Sequence, residues 1–179
     1  MRWFTRERTD DPNFDDDAWH AVRAGYWAYV DSVRDGLPPD LQRLVEINLH
    51  DAVFDMAKID FIGGTAHIRF LSGDSTTFID CQYGDMDFGE SNLRNLRLAI
   101  EARLPRREGT GTIVEWVPFA SVLYDEITVM ADRFQHSFLV DPLGDFAVSF
   151  RQFRLTTESA PEGRLPERRE RYAINQCSD

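Results

Sequence analysis

The stretch N-L-H-D-A-V-F, Asn48 to Phe54, is where the chain changes its period. Before it, apolar residues recur at spacings of three and four. After it they alternate, or run together with β-branched and aromatic neighbours. The first pattern belongs to an amphipathic helix and the second to strands. His50 and Asp51 therefore stand at a helix-to-strand corner, and the fold follows from reading outward in both directions.

Upstream, Asp15, Asp16 and Asp17 precede Trp19, Val22, Tyr26, Tyr29, Val30 and Val33. That spacing predicts a helix with acids at its positive end and Gly36 as its stop. Pro38 and Pro39 reset the chain, and Asp40 is the expected cap of a second helix carrying Leu41, Leu44, Val45 and Leu49.

Downstream, strands are expected at Val53 to Ala57, around Ala66, Ile68 and Phe70, and at Thr77 to Tyr83, with S-G-D-S (Ser72 to Ser75) as a hairpin turn. Helical spacing returns in Leu93, Leu96, Ile100 and Leu104. Strands resume at Thr112 to Val117, Val122 to Val129, Phe134 to Val140 and Phe146 to Leu155. In the last of these the apolar parity shifts between Phe150 and Phe153, which requires a bulge or a strand passing from one sheet to another. The expected fold is α+β: two N-terminal helices, then a mainly antiparallel sheet or sandwich of about seven strands with one inserted helix. Residues 1–158 read as one domain. Residues 159–179 read as a loosely ordered tail, with a short helix over Arg168 to Ile174.

A chain of 179 residues, 42% hydrophobic, can bury one substantial core. Its 31 acidic and 20 basic side chains give a formal charge of -11. That balance argues against nucleic acid as a partner and favours a basic protein. The sequence contains no apolar run of roughly 18 residues and no apolar leader after Met1, so a cytoplasmic protein without a membrane partner is expected. Cys81 and Cys177 provide neither a disulfide framework nor a metal-binding spacing.

Adjacent residues in a helix or strand do not face one another, so His50 and Asp51 are not a ready-made acid–base pair. At a helix end, histidine suits the dipole and aspartate suits the exit turn. His136 shares parity with Phe134 and Phe138 and is expected to point inward, opposite a strand carrying Tyr124, Asp125 and Glu126. His50, Asp51, Tyr124, Asp125, Glu126 and His136 form the candidate functional cluster. Trp3, Phe4 and Trp27, ahead of or off the helical stripe, are the candidate interface.

No G-x-S-x-G, H-E-x-x-H, P-loop or G-x-G-x-x-G signature is present, and Asp85, Asp87 and Glu90 lack the ligand spacing of a calcium loop. No cofactor and no metal site is expected. The leading reading is a non-enzymatic acidic protein-binding module, immunity-like in neutralising a basic partner. The alternative is a small metal-dependent hydrolase using His50, Asp51, Asp125, Glu126 and His136.

Four blocks carry a resemblance. The opening M-R-W-F-T-R-E (Met1 to Glu7), L-P-P-D-L-Q-R-L-V-E-I-N-L-H-D-A (Leu37 to Ala52), L-Y-D-E-I (Leu123 to Ile127) and H-S-F-L-V-D-P-L (His136 to Leu143) occur in that order. They resemble the M-K-Y-F-T-K-E, L-H-D-A, L-Y-D-E-V and H-V-L-F-x-x-P-L blocks of a bacterial family catalogued as domain of unknown function 4085. The resemblance implies a shared helix-then-β domain and directs attention to Trp3, Phe4, His50, Asp51, Tyr124, Asp125 and Glu126.

Overall fold

Asp15 starts the first long helix by chemistry local to the sequence. Its backbone is extended, and its carboxylate accepts a hydrogen bond from the Ala18 N–H at 2.9 Å, which satisfies a donor the helix leaves open. The computed structural model describes residues 1–87, 106–107, 113–115, 121–141, 144–161 and 172–175. Its helices are α1 (Arg6–Thr9), α2 (Asp16–Val33) and α3 (Pro39–Leu44), with a 3-10 turn over Arg34–Gly36 between the last two. Its strands are β1 (Val53–Asp60), β2 (Thr65–Leu71), β3 (Thr77–Gly84), β4 (Arg106–Arg107), β5 (Ile113–Glu115), β6 (Ser121–Val129), β7 (Phe134–Asp141), β8 (Gly144–Phe150), β9 (Gln152–Ser159) and β10 (Tyr172–Asn175).

The fold is α+β, with the helices preceding a seven-strand antiparallel path in the order β8-β7-β6-β1-β2-β3-β9. Strands β8 and β9 are consecutive in sequence yet stand at opposite ends of that order. Arg151 separates them: β8 pairs with β7 and β9 pairs with β3. The parity shift between Phe150 and Phe153 is this change of partner. The two ends of the sheet also approach each other, since the Asp87 N–H donates to Ser149 O and the Arg151 N–H to Gly84 O. The sheet is curled around one core. Phe54, Phe70, Phe138 and Phe146 are fully or almost fully buried there, with ring centroids 4.7 to 6.1 Å apart. Each such ring removed from water contributes about 1.5–3 kcal/mol.

The curl leaves a split. β1 and β6 pair only at Val53 and Ser121, joined by the bonds from Asp51 N–H to Val122 O and from Val122 N–H to Ala52 O. Beyond that point the edge of β6 takes side-chain partners instead of a strand: the Ile127 N–H donates to the Tyr26 hydroxyl and the Val129 N–H to the Tyr29 hydroxyl. Polar side chains from α2 thus cover a row of backbone groups that would otherwise invite another strand.

Several expectations are corrected. Asp40 does not cap α3; the cap position is Pro38, and Asp40 Oδ2 accepts from the Leu155 N–H at 3.1 Å, covering the outer edge of β9. Helix α3 ends at Leu44, so Leu49 is buried from the turns that follow rather than from a helical stripe. A further short helix, α1, precedes the two expected ones. Within the tail, Tyr172–Asn175 forms a strand parallel to β1 where a helix reaching Ile174 is predicted. The inserted helix over Leu93 to Leu104, Glu90 and Cys177 lie outside the described residues.

Candidate functional site

The corner is built from a local conformation and one long-range bond. Asp51 has φ of 61°, a left-handed geometry that aspartate tolerates better than most residues. His50 Nδ1 lies 2.6 Å from Leu123 O. A carbonyl only accepts, so Nδ1 carries the proton. Because the chain turns here rather than continuing a helix or strand, His50 Nε2 comes within 3.7 Å of Asp51 Oδ2. The two side chains do face each other, contrary to expectation for regular structure, at a distance too long for a hydrogen bond.

Strand β6 distributes its polar residues between two faces. Its register shifts between Val122 and Tyr124. Tyr124 points toward the helices, stacked on Phe4 at 4.7 Å and on Trp19 at 5.0 Å, with the His50 ring 5.7 Å away. The hydroxyl of Tyr124 accepts from Arg23 Nη2 at 3.3 Å.

Asp125 points to the other face. Its Oδ2 accepts from His136 Nε2 at 3.1 Å, and the hydroxyl of Tyr83 donates to His136 Nδ1 at 2.9 Å. His136 is wholly buried, as expected from its parity. This bridge joins β3, β7 and β6 across the core. Burial, foremost, pushes the Tyr83 hydroxyl well above its ordinary pKa, which keeps it a donor.

Glu126 returns to the helix side. Although only 1% exposed, its carboxylate accepts from the backbone N–H groups of Arg2, Trp3 and Phe4 at 2.5, 3.0 and 3.4 Å. Three successive N–H groups converging on a carboxylate form an anion nest. It is the N-terminal segment, not a ligand, that Glu126 holds.

The six residues of the candidate cluster therefore serve three arrangements: the corner, the buried bridge and the N-terminal clamp. The ligand set of the hydrolase alternative is divided in the same way. Both nitrogens of His136 are engaged, and Asp125 and Glu126 face opposite sides of β6. Among the described residues no three His, Cys, Asp or Glu side chains gather to hold a metal ion. Asp85 and Asp87 instead meet Arg151 at 3.0 Å and Arg133 at 3.4 Å. Cys81 is buried in β3, as its strand pattern suggests, and burial pushes its thiol far above the usual range, away from reactivity.

What brings part of the cluster together is a solvent-open cavity of about 370 Å³ between α2, the corner and the split edge of β6. Phe4, Tyr26, Trp27 and Tyr124 supply aromatic walls, while Arg23, Glu46, His50 and Asp125 supply polar ones. The three interface candidates divide here. Phe4 is buried in the core and presents only part of a wall, Trp3 packs on Tyr26 and Tyr29 at 5.3 and 4.6 Å, and Trp27 is 46% exposed at the cavity.

Sequence reasoning passes over Arg23 and Glu46 as site residues, since nothing in their spacing links them to β6. A scan against protein-family models and a search of the curated proteins return no match. Among the described residues no helix is long and apolar enough to cross a membrane.

Proposed function

We propose that the chain is a non-enzymatic, acidic protein-binding module of the cytoplasm, immunity-like in neutralising a basic partner, and that a basic side chain of that partner enters the aromatic cavity. The observation that carries this reading is the composition of the cavity wall: exposed Trp27 beside Tyr26 and Tyr124, with Glu46 in the same lining. A cation over an aromatic face gains about 0.5–2 kcal/mol, more as water is excluded. The wall already has such a contact within the chain, since the Arg23 guanidinium lies 5.8 Å from the Tyr124 ring centre. The formal charge of -11 favours rapid encounter with a basic surface. Membership of the bacterial family that the four sequence blocks resemble is part of the same proposal.

The test is calorimetric titration with an arginine- and lysine-rich peptide, in wild type and in Trp27→Ala. Binding that falls about tenfold in the variant, equal to about 1.4 kcal/mol, and weakens with salt supports the reading. Equal binding by both proteins overturns it, as does a peptide that binds neither.

A further inference from the structure

The outward face of β1, β2, β3 and β9 carries a second concavity, of about 640 Å³. Strand register builds it. Lys58, His67, Gln82 and Arg154 stand opposite one another on the four strands, and Asp60, Thr65, Gly84 and Gln152 form a second such row. The row between them presents backbone, because Ile59, Ala66 and Tyr83 turn their side chains into the core. The result is a groove running across the strands, with a backbone floor and two polar walls. Gly84 shapes the second wall: a Cβ there would lie 3.2 Å from the Cβ of Gln152, so its absence lets Gln152 pack along the strand.

Among the described residues, the groove holds two cations without an acidic partner. His67 Nε2 and Arg69 Nε both donate to Asp80, and Arg69 also meets Glu158 at 3.1 Å. Asp60, also in the lining, has its carboxylate engaged by the N–H groups of Ile62 and Gly63, each at 3.0 Å. Lys58 and Arg154, at opposite ends of the first wall, make no ion pair among the described residues. Three strand spacings place them roughly 14 Å apart. That matches residues four apart on one side of an extended chain, which advances about 3.4 Å per residue. Between the two cations lies Gln82, with Gln152 on the facing wall, each offering the donor and acceptor that a peptide bond needs.

We infer that this groove binds an extended acidic peptide, laid across the strands, with carboxylates four residues apart on Lys58 and Arg154 and its backbone on the two glutamines. The site is separate from the aromatic cavity and selects the opposite charge.

The test is fluorescence anisotropy with a labelled peptide carrying glutamates at positions one and five, against the same peptide with glutamines there. The protein is the full chain, as wild type and as the double variant Lys58→Gln, Arg154→Gln. Both substituted side chains are exposed, and a thermal melt checks that folding is kept. The glutamate peptide is expected to bind wild type about tenfold more tightly than the glutamine peptide, and the double variant to lose that preference. Equal binding of the two peptides, a preference kept by the double variant, or displacement of the peptide by equimolar inorganic phosphate would overturn the inference. In the last case a point anion would suffice without a peptide.

Discussion

His50 Nδ1 lies 2.6 Å from the carbonyl oxygen of Leu123, tying the helix-to-strand corner to β6 where β6 leaves β1. The bond closes the split at its narrow end and sets the wall of the aromatic cavity. Replacing His50 by alanine removes one hydrogen bond and should cost about 1 kcal/mol in urea unfolding. The neighbouring position separates conformation from contact. With φ of 61° at Asp51, Asp51→Gly should be nearly neutral, whereas Asp51→Val should cost about 1–2 kcal/mol. Equal losses for glycine and valine would mean that the Asp51 side chain, not the backbone, matters.

Glu126 holds the N-terminal segment through three backbone N–H groups. In Glu126→Gln one carboxylate oxygen becomes an NH₂ group facing donors, so the segment should lose its hold. A stability loss of about 1–3 kcal/mol is expected, together with faster protease cleavage before α2. Unchanged cleavage would show that the stacking of Phe4 on Tyr124 suffices.

The bridge from Tyr83 through His136 to Asp125 is a network in which each member orients the next. Tyr83→Phe and Asp125→Asn should each destabilise the fold by about 1–3 kcal/mol. Because both act through one imidazole, the double variant should lose less than the sum, with a coupling of about 0.5–2 kcal/mol. Simple additivity would mean that His136 does not transmit between them.

Asp80 predicts the acid side of the stability curve. Burial alone would raise its carboxyl pKa, but hydrogen bonds and charge from His67 and Arg69 outweigh it and hold the group below its ordinary 3.8. A folded value below the unfolded one adds stability that is complete above the ordinary value and is lost as pH falls through the folded one. Urea midpoints should therefore drop below about pH 4, and Asp80→Asn should flatten that drop while lowering stability near neutrality. An unchanged acid slope in the variant would show that other carboxyls set it.

The features legible in the sequence are those decided by neighbours. The period change at Asn48 to Phe54, the Asp15 start of α2 and a break between Phe150 and Phe153 all follow from spacing within a few residues, although the break is a change of partner within one sheet and neither a bulge nor a passage to another. Those that stayed hidden depend on what arrives from far along the chain. Asp40 has the look of a helix cap, yet the Leu155 N–H takes its carboxylate. Strand alternation says that only one of Asp125 and Glu126 can share a face with His136. Which one depends on a register that no local pattern supplies, and Ile127 opposite His136 decides for Asp125. The cavity draws on α2, the corner and β6 together, so Arg23 and Glu46 carry no mark of it in their own surroundings.

Recognition of a basic partner by the aromatic cavity must perturb the residues that line it. Its most direct test is the amide and indole spectrum of the isotopically labelled chain, titrated with the arginine- and lysine-rich peptide. The expected result is saturable shifts of the Trp27 indole N–H and of the amides of Glu46 to His50 and Leu123 to Asp125. Shifts confined to the acidic segment Asp10 to Asp17, with the Trp27 indole unmoved, would contradict it and reduce the association to surface charge.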